Sequence, residues 1–108
     1  MSSGFSDREK AFEDKWAHDE EVRFKVLAHR NKLLGLWAAT EMGISGPAAD
    51  DYAKAIVQAE LAREGDEAVF LKLKTDFANA NVARTDHLIR LKMDEFLATA
   101  KTDVMHGG

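Results

Sequence analysis

The sequence predicts an all-α protein: a four-helix bundle preceded by a mobile N-terminal helical extension. Three observations carry this prediction. The chain has 108 residues, one proline and no cysteine, and it is rich in Ala, Leu, Lys and Glu, which lose little rotamer freedom in a helix. Apolar residues recur at three- and four-residue spacing in four stretches, the pattern of a helix with one buried face. Short polar or glycine-containing turns separate these stretches, and short turns make consecutive helices pack antiparallel.

The first helix is expected over residues 6–42. Ser6 followed by Glu9 reads as a capping box, in which side chains satisfy the free N–H groups of a helix start. No Pro or Gly intervenes before Gly35. A glycine there costs about 1 kcal/mol relative to Ala and lets a second helix approach closely. Gly43 supplies a stop. Ser45 is expected to open the second helix. Pro47 lies in its first turn, and Asp50 and Asp51 sit near the positive end of its dipole. Tyr52, Ala53, Ile56, Val57 and Leu61 form its apolar face, and Gly65 ends it. Asp66 is expected to cap the third helix, with Val69, Phe70, Leu73 and Phe77 inward. The Asn79-Ala80-Asn81 stretch breaks it. Thr85 or Asp86 caps the fourth, with Ile89, Met93, Phe96, Leu97 and Ala100 on one face. The chain is expected to fray from Thr102. The division is therefore an N-terminal segment over residues 1–20, a bundle over 21–103 and a tail over 104–108.

The first helix does not read as one uniform element. With Phe12 at 0° and about 100° per residue, Trp16, Leu27, Leu34 and Trp37 all fall within about 60° of it. Asp19, Glu20 and Arg23 fall in the same stripe and cut it. The half from Val26 to Met42 belongs to the core. The half before Ala17 carries Phe12 and Trp16, with Phe5 one heptad earlier, among charges of alternating sign. Such a segment is a marginal helix alone in water. Two readings fit it. Phe12 and Trp16 fold back and cover one end of the bundle, or they anchor the segment in a groove on a partner. A break near residues 18–21 serves both.

Composition limits the function. The net charge is −4, with both signs mixed along the chain. That disfavours a nucleic-acid binder, which needs a basic stripe to displace counterions, and a polybasic membrane anchor. The longest apolar run, residues 33–39, is far short of the ~20 residues of a membrane span. Without cysteine there is no disulfide, thiolate nucleophile or cysteine-ligated metal site. A cytoplasmic setting is expected.

Catalytic signals are missing. The chain has no nucleophile elbow, phosphate loop or convincing base pair. The four histidines read as solvated surface residues. His18 and Glu21 share a helix face, but a metal site needs about three protein ligands. His18 beside Asp19 reads alternatively as a pH-sensitive latch. His29 has no acidic residue at helical spacing. Arg30-Asn31-Lys32, with Trp37 beyond, reads either as a solvated cationic turn or as a place to hold phosphate and stack a base.

Several runs then resemble a known family. They are Phe5, Arg8-Glu9, Phe12-Glu13 and Lys15-Trp16-Ala17-His18-Asp19-Glu20-Glu21. Phe24-Lys25 and Arg30-Asn31-Lys32-Leu33-Leu34-Gly35-Leu36-Trp37-Ala38-Ala39 continue in register. Tyr52-Ala53, Gly65-Asp66-Glu67 and Lys92-Met93-Asp94-Glu95 follow. The chain resembles the zeta subunit of the alphaproteobacterial F-type ATP synthase, an ATPase inhibitor family, from Phe5 to about Lys101.

The resemblance implies a non-enzymatic regulatory subunit, peripheral to the inner membrane through the synthase. Its mobile N-terminal segment would enter the catalytic head among the alpha, beta and gamma subunits and block ATP hydrolysis. Carried onto this sequence, the partner-binding residues are Phe5, Arg8, Lys10, Phe12, Glu13, Lys15 and Trp16. No cofactor or metal is required. ADP or ATP is implied as a regulatory ligand of the bundle, with Arg30, Lys32 and Trp37 as candidate contacts. The alternative is an adenine-nucleotide-sensing helical module with another partner. The chain departs from the family pattern at residues 1–4 and at Trp16, where Phe or Tyr is more usual.

Overall fold

In the structure, a computed structural model, residues 4–62 and 65–107 are described, with side chains from residue 7 to 60 and from 65 to 107. Five helices follow in order among the described residues, with no strand: α1 Gly4–His18, α2 Glu20–Glu41, α3 Pro47–Ala62, α4 Asp66–Asn79 and α5 Asp86–Met105. The expected single first helix is thus two. The break is at Asp19, inside the region where charge interrupts the apolar stripe. Its backbone is extended (φ −103°, ψ 112°), and its carboxylate accepts from the N–H groups of Glu21 and Val22 at 2.9 and 3.3 Å. Arg23 donates to the carbonyls of Trp16 and Ala17, the free acceptors at the end of α1. The charges that cut the stripe therefore close one helix and start the next.

Several element boundaries differ from expectation. Helix α1 already runs from Gly4, so Ser6 is not its cap, and the side chains of Phe5, Ser6 and Leu61 lie outside the described residues. Helix α3 starts at Pro47 rather than at Ser45, with the Gly46 carbonyl accepting from the N–H groups of Ala49 and Asp50. A proline at this first position loses no intrahelical hydrogen bond. Gly65, not Asp66, occupies the cap position of α4, because the Asp66 carboxylate is taken by Arg30. Thr85 caps α5 by accepting from Leu88 N–H at 3.1 Å. Asn81, at φ 58°, turns the chain after α4, a conformation Asn tolerates better than most residues. Helix α5 continues through Thr102 to Met105 instead of fraying.

The core lies among α2, α3, α4 and α5. Leu34, Ala38, Ile56, Val69, Phe70, Leu73, Phe77, Ile89 and Met93 form one buried cluster. Trp37 meets Phe77 edge-on with ring centroids 5.6 Å apart, an arrangement suited to the aromatic quadrupoles. The seam between α2 and α3 is the closest. A Cβ on Gly35 would lie 2.7 Å from the Ala53 Cα, so only glycine permits this approach.

Arg30, 1% exposed, closes the other end of that seam. Its guanidinium donates to Glu60 at 2.9 Å, to Asp66 at 2.7 Å and to Asn31 at 2.7 Å. A buried cation needs such partners to offset its lost hydration. Glu41 and Arg84, 2.9 Å apart, tie the end of α2 to the turn before α5.

Candidate functional site

The site begins with α1 and the face of α5 it lies against. Phe12 and Trp16 are one helical turn apart and both half-buried. They are turned toward the C-terminal half of α5. An open cleft of about 420 Å³ lies between Glu9, Phe12 and Glu13 on α1 and Asp94, Leu97 and Lys101 on α5. Lys101 is the fastener. Its ammonium lies 3.3 Å from Glu13 Oε1 and 4.6 Å from the centroid of the Trp16 ring. One cation thus serves a carboxylate and an aromatic face at once. The contact is only partly dry, since the Lys101 side chain is 26% exposed and Glu13 55%.

Of the two readings of Phe12 and Trp16, the structure displays the folded-back one, on the flank of α5. It adds a fifth helix to the bundle. Arg8, Lys10 and Lys15 are exposed. Among the described residues these three make no ion pair, whereas Lys25, Arg30, Lys72, Lys74, Arg84, Arg90, Lys92 and Lys101 all do. Helix α1 therefore combines half-covered aromatics with exposed cations that make no ion pair among the described residues.

The comparisons with known proteins bear on what such a helix is for. The family model described as ATPase inhibitor subunit zeta matches residues 1–103. The chain belongs to this family. The match includes all of α1, so the N-terminal helix is part of the family's pattern and not an appendage to it. The family is regulatory by its description, and that description ties it to an ATPase. A structure solved by solution NMR is 36% identical, with 80% of this chain and 98% of that chain covered and a TM-score of 0.70. No curated protein sequence matches the chain.

The second group of candidate residues does not assemble. Arg30 is buried in its ion-pair network, with Nε and Nη2 donating to Asn31, Glu60 and Asp66. Lys32, two residues on, points the opposite way and is exposed beside α3. Trp37 is committed to the core edge with Phe77, with Lys92 about 6.0 Å above its ring. Residues two apart on a helix diverge by about 200°, which is why Arg30 and Lys32 cannot share a ligand. The reading of Arg30-Asn31-Lys32 as a solvated turn is corrected too, since Arg30 and Asn31 are both buried.

His18, His87 and His106 are exposed, as expected of surface histidines, and His29 is not. His29 is half-buried and lies 2.8 Å from Asp103 of α5, a partner 74 residues away that helical spacing cannot reveal. His18 faces Asp14 at 3.8 Å, and not Glu21. Among the described residues no cluster of three metal-ligating side chains occurs, and no helix is long and apolar enough to cross a membrane.

The residue that sequence reasoning missed is Lys101. Its only signal was its position four residues after Leu97 on a helix whose last turns carry little of the core stripe.

Proposed function

We propose that this protein is an inhibitory regulatory subunit that binds the catalytic head of the F-type ATP synthase and blocks ATP hydrolysis with α1. The observation that carries this reading is the attachment of α1. It is a separate helix, divided from α2 where Asp19 caps the start of α2, and fastened to α5 through Lys101 across an open cleft, within a family of ATPase inhibitors.

Detaching α1 opens one exposed ion pair and one cation–π contact, which are weak in water. The main core cluster of the bundle contains no residue of α1. A helix that is already formed also avoids much of the ordering cost of about 2–5 kcal/mol paid by a disordered segment on binding. On the head, Phe12 and Trp16 become the buried anchors. Arg8, Lys10, Glu13 and Lys15 make rim contacts that set register and association rate. The proposed groove is formed by the alpha, beta and gamma subunits, which places the protein at the inner membrane through the synthase. No catalytic turnover is assigned to the chain.

The test is ATP hydrolysis by an isolated alphaproteobacterial catalytic head. The full-length chain should inhibit, and a Phe12→Ala/Trp16→Ala chain should not. Equal inhibition by both would move the inhibitory surface off α1.

A further inference from the structure

A second surface of the bundle has the character of a docking groove. It lies between α2 and α3 and encloses about 980 Å³. Its apolar lining is Phe24 and Ala28 of α2, Ala53 and Val57 of α3, and Val104 of α5. Two of these five are alanines, so an incoming backbone can approach closely. Phe24, at one end, is 54% exposed, more than any other large apolar side chain among the described residues. The lining spans residues 24–32 of α2 and 50–58 of α3, a length of about 12 Å, or two turns of a docked helix.

The rim is cationic in a chain whose net charge is −4. Three lysines, Lys25, Lys32 and Lys54, stand around it beside the His29 imidazole, with Asp50 as the one carboxylate in the lining. Lys25 is paired with Glu21 and His29 with Asp103. Lys32 and Lys54 make no ion pair. Among the described lysines and arginines, those without an ion pair are Arg8, Lys10 and Lys15 on α1, Arg23 in the first turn of α2, and these two. Arg23 is occupied by backbone carbonyls. The uncommitted cations therefore sit in two places: the helix proposed to enter the partner, and this groove. Phe24 begins the groove five residues after the Asp19 hinge, so both places adjoin the α1–α2 junction.

We infer that the α2–α3 groove docks an acidic amphipathic helical segment of the same partner, with carboxylates meeting Lys32 and Lys54 and an apolar side chain meeting Phe24 and Val57. This rests on the reading of α1 as the inhibitory helix and gives the bundle a role of its own: it holds the protein on the partner while α1 acts. Helix-in-groove recognition of this kind takes its affinity from apolar anchors, and charge sets orientation and on-rate.

The experiment is a titration of the isolated catalytic head with full-length Lys32→Glu/Lys54→Glu chain, read by ATP hydrolysis at two ionic strengths. Both lysines are exposed, and an unchanged urea midpoint shows that the variant folds. The expected result is a half-inhibitory concentration raised at least tenfold, a smaller salt dependence and the same maximal inhibition. Lys32→Arg/Lys54→Arg should restore wild-type behaviour. Carbodiimide coupling in the wild-type complex should join Lys32 or Lys54 to Asp or Glu of the head.

A wild-type half-inhibitory concentration for the charge-reversed chain overturns the groove and leaves the α1 reading intact. No inhibition by wild type overturns both. Movement of the groove's NMR signals by ATP alone, with no coupling to the head, overturns the acidic-helix assignment in favour of a nucleotide.

Discussion

The α2–α3 seam and the α1–α5 contact join helices in opposite ways. At the seam, Gly35 brings the Ala53 backbone to contact distance and Arg30 is held by Glu60, Asp66 and Asn31. At the α1–α5 contact, an open cleft is bridged by one lysine that remains partly in water. Backbone-to-backbone contact of this kind gives a joint with one arrangement. A bridged cleft gives a joint that opens at little cost. The same chain thus builds one close joint and one open joint, and the difference is a matter of contact density rather than of helix propensity.

The largest effect should come from the seam. Gly35→Val places a branched side chain against the Ala53 backbone and should cost about 3 kcal/mol of stability, measured by urea unfolding. A variant as stable as wild type would show that the seam tolerates separation, and the contrast with α1 would lose its basis.

Arg30→Ala leaves Glu60 and Asn31 without their shared donor. The expected loss is about 2–3 kcal/mol, at the low end for a buried pair because Asp66 is half exposed. The same variant sharpens the functional assignment, since it should still inhibit ATP hydrolysis once folded.

Phe12→Ala/Trp16→Ala should behave in the reverse sense. Inhibition should be lost, while the urea midpoint of the bundle shifts by less than about 1 kcal/mol, because neither ring is in the main core cluster. Melting of the bundle in this variant would make α1 a structural helix.

A smaller effect is expected at Tyr52, whose hydroxyl donates to Asp76 at 2.7 Å. Burial raises its pKa far above the ordinary tyrosine value, and the neighbouring Asp76 adds to the shift. The unfolded chain ionises this tyrosine near pH ~10 and the folded chain does not. The stabilisation is therefore complete below pH ~10 and declines as pH rises above it. Tyr52→Phe should lower stability by about 1 kcal/mol at neutral pH and flatten the alkaline decline, read from urea midpoints on either side of that pH.

The smallest change should be Lys101→Ala. It should leave the core unaffected but raise protease cleavage near Lys15, because α1 loses its fastener. Unchanged protection would mean that Phe12 holds α1 without Lys101.

Much of the fold was legible in the sequence because it is written in local patterns. The apolar faces around Leu34, Ile56, Phe77 and Met93 follow helical spacing, and the chain breaks at Gly43, Gly65 and Asn81 are local backbone chemistry. The break at Asp19 was readable as charge inside an apolar stripe. Membership of the family was legible from the resemblance of the runs around Trp16 and Trp37 to it. The candidate nucleotide contacts were not correctly legible. Adjacent letters such as Arg30 and Lys32 say nothing about which side of a helix meets another helix.

By itself, then, the sequence determined the helical class, the order of the helices and the break that separates α1 from α2. These depend on propensity and on spacing within about one or two turns. Only the tertiary structure decided that Arg30 belongs to Glu60 and Asp66, that His29 meets Asp103, and that Lys101 holds Trp16. Each of these contacts joins residues distant in the chain, and their pairing depends on how helices cross, which no local pattern encodes.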